Sequence, residues 1–421
     1  MVRSFNAQTG QPGSERPPLI ETFRDPGRRL AMRASLLDLV PRLGPAQVGI
    51  IPTYRCDYGC VFCALQLDRA AGRPELDVGV FATLLEDLVR LGTPRISLTG
   101  GGDPSVHPRF PELLDLARRS GLRHIVSTHG RWLTQGGAAW LGPAAELHVG
   151  LNAATAATYD RVHRLRAPGT FEALCAALGE FAGRAGARPV GSVSLSFIFC
   201  RENAAEIRGF YDLARGIGAD NVVYRMIIPH PKYEHLLPTA DQIVAAFADV
   251  AAVRRQAERP GNPAVVFGDN FLPPRTNGER VLHTLRRLTG QARESTGLRR
   301  VLTRYRAWTW KTTGPIPCLE GFANAYVDSD GTVFACHGGG PRQPTNVMGR
   351  LVEERFPAIW GGERYREFRR KTRRINTGIA GNSLFPDEDV CLRCPKRDLF
   401  ADLLATVNLT PRELLALDGR D

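Results

Sequence analysis

The chain has 421 residues, 43% of them apolar and 23% charged, with 55 Lys and Arg against 43 Asp and Glu for a formal charge of +12. That length predicts two or three domains with ample chain to bury a core, and the composition excludes a disordered or fibrous protein. No run of about 18 apolar residues and no positive-then-apolar signal layout occurs, so no membrane partner is expected and the protein is read as cytoplasmic.

Residues 1–45 read as a Pro/Gly/Arg-rich arm ending in a short helix within Leu30–Leu43. From 46 onward, short apolar runs alternate with helical periods. The runs are Val48–Pro52, Arg95–Thr99, His124–Ser127, Leu147–Leu151, Val193–Phe199 and Asn221–Ile228. Between them lie helical stretches at Val78–Leu91, Phe110–Ser120, Gly136–Leu141, Phe171–Ala185 and Ala204–Ile217. Strand followed by helix about six times argues for an α/β fold, a partial (β/α)6 parallel barrel over 46–235, since an eight-fold closed barrel needs more units. Residues 236–312 read as a helical connecting segment around one short strand, Ala264–Phe267. A small hairpin-containing domain over 313–421 follows, with its turn at Asp330-Gly331 inside Tyr326–Phe334. Arg299-Arg300, Arg304 to Arg306 and Arg364 to Arg374 fall in helix-like stretches, so nucleic acid is not expected as a partner.

Cys56, Cys60 and Cys63 follow the first strand directly, at the end where parallel α/β barrels carry their active sites. A [4Fe–4S] cluster is held by four thiolates, so three leave one iron open. Zinc would need a fourth ligand, from Asp57 or a distant residue. The second strand ends in Leu98-Thr99-Gly100-Gly101-Gly102-Asp103-Pro104. Its glycines admit a ligand close to the backbone or serve only a tight turn, and Asp103 can accept hydrogen bonds from an ammonium group.

With these two loops one strand apart, the sequence resembles the radical S-adenosylmethionine (SAM) superfamily. The C-x3-C-x-Φ-C loop has Phe62 as its aromatic, and Gly101-Gly102-Asp103-Pro104 stands in the place of G-G-E-P. The resemblance implies a cluster on Cys56, Cys60 and Cys63 whose open iron holds the amino and carboxylate groups of SAM. It further implies reductive cleavage of SAM to a 5′-deoxyadenosyl radical that abstracts hydrogen from a substrate. Phe62, Gly101, Gly102 and Asp103 become cofactor contacts, Asp103 one methylene shorter than Glu. Thr128-His129-Gly130 is similar to the family's T-N-G, and Gly150-Leu151-Asn152-Ala153 to S-L-D/N-A. Gly150 lacks the usual hydroxyl, which leaves Asn152 as the ribose contact, and Arg164 is the candidate partner of the SAM carboxylate.

Cys318, Cys336, Cys391 and Cys394 supply four thiols, enough for a structural zinc or a complete cluster. Their spacing, with Val347-Met348-Gly349-Arg350 leading to Ile359-Trp360, resembles the SPASM/twitch extension of radical SAM enzymes. No Cys follows Cys394, so the shorter twitch form with one auxiliary cluster is implied. The expected cofactors are thus two [4Fe–4S] clusters and SAM, with flavodoxin or ferredoxin as external electron donor.

A cluster that does not bind SAM can take an electron from a substrate radical. That logic favours dehydrogenation of a small polar molecule, such as a sugar, aminocyclitol, aminoglycoside or nucleotide-sugar, in antibiotic or other natural-product biosynthesis. Alternatives within the class are an epimerase, a dehydratase or deoxygenase, and a peptide maturase, although no N-terminal module for grasping a leader peptide is evident. Outside it stand an iron–sulfur electron carrier and a two-site zinc-binding module. Cys200, at the end of the fifth strand, is the candidate hydrogen donor, while Cys175 reads as a small core residue. His230, Lys232, His235 and Asp269 are unassigned candidates for a base, and His337 for support of the auxiliary cluster.

Overall fold

A computed structural model describes residues 18–63, 72–165, 169–183, 190–227, 231–267, 316–338, 343–377, 391, 394 and 396–417. His230, Asp269, the Lys232 side chain, the first 17 residues of the arm and 268–312 of the connecting segment lie outside the described residues.

β1 (Gln47–Ile50), β2 (Arg95–Leu98), β3 (Arg123–Thr128), β4 (Ala145–Gly150), β5 (Ser192–Phe199), β6 (Asn221–Met226) and β7 (Ala264–Phe267) pair in chain order, all parallel. Helices fill the crossovers that parallel pairing requires. Val78–Arg90 starts on Asp77, whose carboxylate accepts from the Val80 amide. The expected helix around 136–141 is instead two 3-10 turns, Arg131–Gln135 and Gly137–Trp140, divided by Gly136 at φ 84°. The α/β partial barrel is the fold found, with one strand more than expected. Unpaired, β6 would leave an edge of open amides and carbonyls; Asn221 to Tyr224 pair with Ala264 to Phe267 and close it.

The C-terminal part adds β8 (Ile316–Pro317), β9 (Asn324–Val327), β10 (Thr332–Phe334), β11 (Val347–Arg350) and β12 (Asn376–Thr377). β8 pairs with β12 as a small separate ribbon. β9 pairs in parallel with β1, so the hairpin continues the barrel sheet into one of ten strands, ordered β11-β10-β9-β1-β2-β3-β4-β5-β6-β7. Sequence predicted a hairpin module apart from the barrel. Gly49 explains the junction: a Cβ there would lie 2.7 Å from the Tyr326 ring, so only glycine lets β9 lie this close. The helix Pro26–Asp38 buries Met32 and Leu36 against Phe322, Leu399 and Phe400, so beyond residue 18 the expected loose arm is packed structure.

Along each barrel strand one set of alternate residues, among them Ile50, Leu98, Val149, Phe197 and Tyr224, is buried in the core shared with the helices. The other set, including Ser97, Ser127, His148, Ser194, Ser196 and Arg225, faces the inner side. Among the described residues no helix is long and apolar enough to cross a membrane.

Candidate metal and cofactor site

The loop carrying Cys56, Cys60 and Cys63 leaves the C-terminal end of β1 and is held from three directions. On one side, Gly102 donates its amide to Thr53 O and Asp103 to Arg55 O, both at 2.9 Å. On the other, Gly59 and Val61 donate to His163 O and Val162 O at 3.3 and 2.9 Å, at the end of helix Ala156–His163. From a third element, the Tyr233 hydroxyl donates to Cys63 O at 2.6 Å. Phe62 packs with Cys200, Ile227 and Tyr233.

The glycine run explains the first of these contacts. None of Gly100, Gly101 and Gly102 has positive φ, so the turn itself does not require glycine. Space does: a Cβ on Gly101 would sit 2.2 Å from the Tyr54 ring, and one on Gly102 would sit 1.8 Å from Arg55 O. The close approach is to the chain's own 53–55 backbone. Asp103 is likewise turned inward and 4% exposed. Its carboxylate accepts from Ser105 N and Oγ, from Thr128 Oγ1 at 2.8 Å and from the His129 amide at 2.7 Å. Those bonds use the four or so acceptor directions a carboxylate has. Asp103, expected from the sequence to be an ammonium acceptor, here ties the β2 turn to the β3 turn.

His129 stacks on Tyr58 with ring centroids 3.8 Å apart. Its Nε2 donates to Asp57 Oδ1 at 2.7 Å and lies 3.3 Å from Asp103 Oδ2. Burial opposes the imidazolium, yet the charges of Asp103 and Asp57 raise its pKa to about 10. Burial likewise opposes the Asp57 carboxylate, but the bond from His129 brings it down to about 2. His163 reaches the second thiol: its Nε2–H donates to Leu151 O at 3.0 Å, leaving Nδ1 facing Cys60 Sγ at 3.0 Å. Burial lowers His163 to about 4, so it is neutral. Sequence reasoning missed His163, Tyr58 and Tyr233. Only Tyr58, inside the Cys loop, gave any signal.

The other expected contacts diverge. Asn152 holds the left-handed conformation at φ 58°. Its Oδ1 accepts from the Ile198 amide at 2.9 Å and its Nδ2 donates to Gly150 O at 3.0 Å, which commits both ends of the amide to the backbone. Arg164, exposed with φ 53°, ends helix Ala156–His163 beside Gly59. Cys200 is fully buried; burial pushes its thiol up to about 11 and so keeps the S–H that a hydrogen donor needs, but leaves the sulfur without an exposed face. His235 is exposed.

The four C-terminal cysteines converge. Cys318 feels the charges of Cys394 and Cys336, while Cys391 packs on Ile375 and Cys336. Burial raises the Cys318 and Cys394 thiols well above their usual range. Asn346 clamps Cys336, accepting its amide at 2.9 Å and donating to its carbonyl at 2.7 Å. Among the described residues the one group of metal-binding side chains whose ligand atoms all lie within 4.8 Å of one another is Cys56, Asp57 and His129. Neither cysteine set is therefore drawn to the spacing of a single zinc ion. All nine cysteines are free, and soft thiol donors on a hydrogen-bonded scaffold suit an iron–sulfur cluster in both places.

Residues 50–214 match the model of the radical SAM superfamily, and residues 318–395 match that of the SPASM iron–sulfur cluster-binding domain. Among curated relatives, the PqqA peptide cyclase of Gluconobacter oxydans is 31% identical over 214 residues, 48% of this chain and 56% of that protein. The mycofactocin maturase MftC of Mycobacterium tuberculosis is 29% identical over 226 residues, 52% of this chain and 53% of that one. The chain thus spans about half the length of these first relatives. Among solved structures, Streptococcus suis SuiB bound to S-adenosylmethionine shares the fold, with TM-score 0.57 at 12% identity over 88% of this chain and 76% of that one. These domains imply SAM and [4Fe–4S] clusters, one cluster in each domain. Residues 50–214 thus carry a radical SAM domain, and a SPASM domain follows it over residues 318–395.

Proposed function

We propose that this chain modifies a peptide, using SAM and the cluster held by Cys56, Cys60 and Cys63, with a second cluster held by Cys318, Cys336, Cys391 and Cys394. When bound, the first group supplies reductive cleavage of SAM and thereby a hydrogen-abstracting radical. What the chain's own residues do follows from the loop geometry. The β2 turn, helix Ala156–His163 and Tyr233 fix the backbone of the Cys loop, His163 orients the Cys60 sulfur, and the charged pair of His129 and Asp57 flanks Cys56. Preorganisation of this kind is what a ligand set needs from its surroundings.

The observation that carries the peptide reading is the relative named as a PqqA peptide cyclase, beside a second named as a mycofactocin maturase. It favours the maturase alternative over small-sugar dehydrogenation, and leaves antibiotic biosynthesis and the oxidoreductase class without support of their own. The test is anaerobic: reconstituted protein, SAM and a strong reductant, with 5′-deoxyadenosine formation followed on adding a fractionated peptide pool or an aminocyclitol panel. Acceleration by peptides, with loss of hydrogen from one of them by mass spectrometry, supports the proposal. Acceleration by the aminocyclitols alone overturns it.

A further inference from the structure

The four C-terminal thiols come from three stretches of chain, around Cys318, around Cys336, and around Cys391 and Cys394. Each stretch sends one residue to Tyr326 of β9. Glu320, two residues past Cys318, accepts from the Tyr326 hydroxyl at 2.6 Å. Lys396, two residues past Cys394, donates from its ammonium to Glu320 Oε1 and to the Tyr326 oxygen. His337, next to Cys336, lies against the same ring with centroids 5.5 Å apart. Tyr326 is itself held in place, lying over Gly49 of β1 and stacking on Phe334 of β10 at 5.3 Å.

The same two charged residues reach the sulfurs through their backbone. The Glu320 amide donates to the Cys318 sulfur, and the Lys396 amide donates to the Cys394 sulfur. The second Glu320 oxygen accepts from Asn324 Nδ2 at 3.1 Å, so the carboxylate is committed on both sides. The Glu320 and Lys396 side chains are 3% and 12% exposed, so water screens their charges little. The ammonium also lies in the field of Cys336 and Cys394. Hydrogen bonds to the sulfurs and the net charge nearby are among the levers that set the potential of an iron–sulfur cluster.

We infer that Glu320, Lys396 and Tyr326 are positioning residues for the C-terminal cluster: the ion pair on the Tyr326 hydroxyl draws the ligand-bearing stretches together, and its two charges set the cluster's potential in opposite directions. Removing a positive charge beside a centre that gains an electron disfavours reduction, and removing a negative one favours it. The inference rests on the assignment of the second cluster to Cys318, Cys336, Cys391 and Cys394, and is independent of the substrate.

The test uses the full chain with Cys56, Cys60 and Cys63 replaced by Ala, so that the C-terminal cluster alone can load. Iron content after anaerobic reconstitution and the midpoint potential from an EPR-monitored redox titration are the readouts. In this parent, Lys396→Met should move the potential down and Glu320→Gln should move it up. Both should retain less iron than the parent, because each leaves a buried charge without its partner. Glu320→Gln and Lys396→Met combined should regain most of that iron. Potentials that stay where they are, or that move the same way in both variants, overturn the inference, since a general loosening of the site has no reason to follow the sign of the charge removed. Where a single variant holds too little cluster to titrate, the combined variant decides: recovered iron upholds the inference, and a loss equal to the sum of the two overturns it. A parent that takes up no iron sinks the four-cysteine assignment and the inference with it. About four irons per chain in the parent with unmoved potentials sinks the inference alone.

Discussion

The glycines at 100 to 102 and Asp103 were legible as a motif, but what they do is set by what lies against them. A motif gives residue types and order; it does not say that Arg55 O occupies the space a Cβ of Gly102 would need. Gly102→Ala should destabilise the protein by about 1–3 kcal/mol, the cost of overpacking, and lower the iron retained after reconstitution, measured by denaturant midpoint and iron assay. Asp103→Ala would strand donors from Ser105, Thr128 and His129. We expect a lower melting temperature with or without SAM; a change seen only when SAM is present would restore the ammonium-acceptor role. His148 predicts a pH effect. Its folded pKa of about 3 lies below the ordinary value for a free histidine. Between that ordinary value and about 3 the unfolded chain therefore binds a proton the folded chain refuses. Stability should fall with pH through that window, by less than about 1.4 kcal/mol per unit because the ring is only partly buried. Urea midpoints measured from pH 7 to 5 should fall less steeply in His148→Gln, while His124 and His163, also lowered by burial, keep part of the slope.

At the scale of elements, the alternation of apolar runs and helical periods was enough to place β1 to β6, because each strand's helix-facing residues must be apolar whatever it pairs with. β7 was visible as a strand but not as a member of the barrel sheet, since four residues carry no record of their partner. Contacts between elements were likewise silent. Asp87, on helix Val78–Arg90 and 2% exposed, accepts from Arg355 Nε and Nη2 at 2.9 and 2.7 Å and from the Phe356 amide at 3.2 Å. It ties the barrel's first crossover helix to helix Phe356–Gly361 of the C-terminal part. Asp87→Ala should cost about 1–3 kcal/mol, chiefly from the stranded amide and guanidinium donors. In a double-mutant cycle with Arg355→Ala the two losses should fall short of additive, and strict additivity would show that the pair is not coupled.

Across the whole molecule, the two cysteine sets separate by count. Substituting Cys391 with Ala should remove about four irons per chain while leaving 5′-deoxyadenosine formation measurable, and should depress turnover of substrate. Unchanged turnover would rule out an electron-accepting role for the C-terminal cluster. Sequence alone determined the ligand chemistry, because thiols at fixed offsets and a strand-helix rhythm are written in order along the chain. It also gave the α/β class, since hydrophobic period depends only on near neighbours. Tertiary structure alone decided that β9 joins β1 beside Gly49, that Asp103 and Asn152 spend their polar atoms on the protein itself, and that His163 meets Cys60. Each of these joins residues far apart in the chain, and such meetings are fixed by packing and by the need of buried polar groups for partners, which no local pattern records.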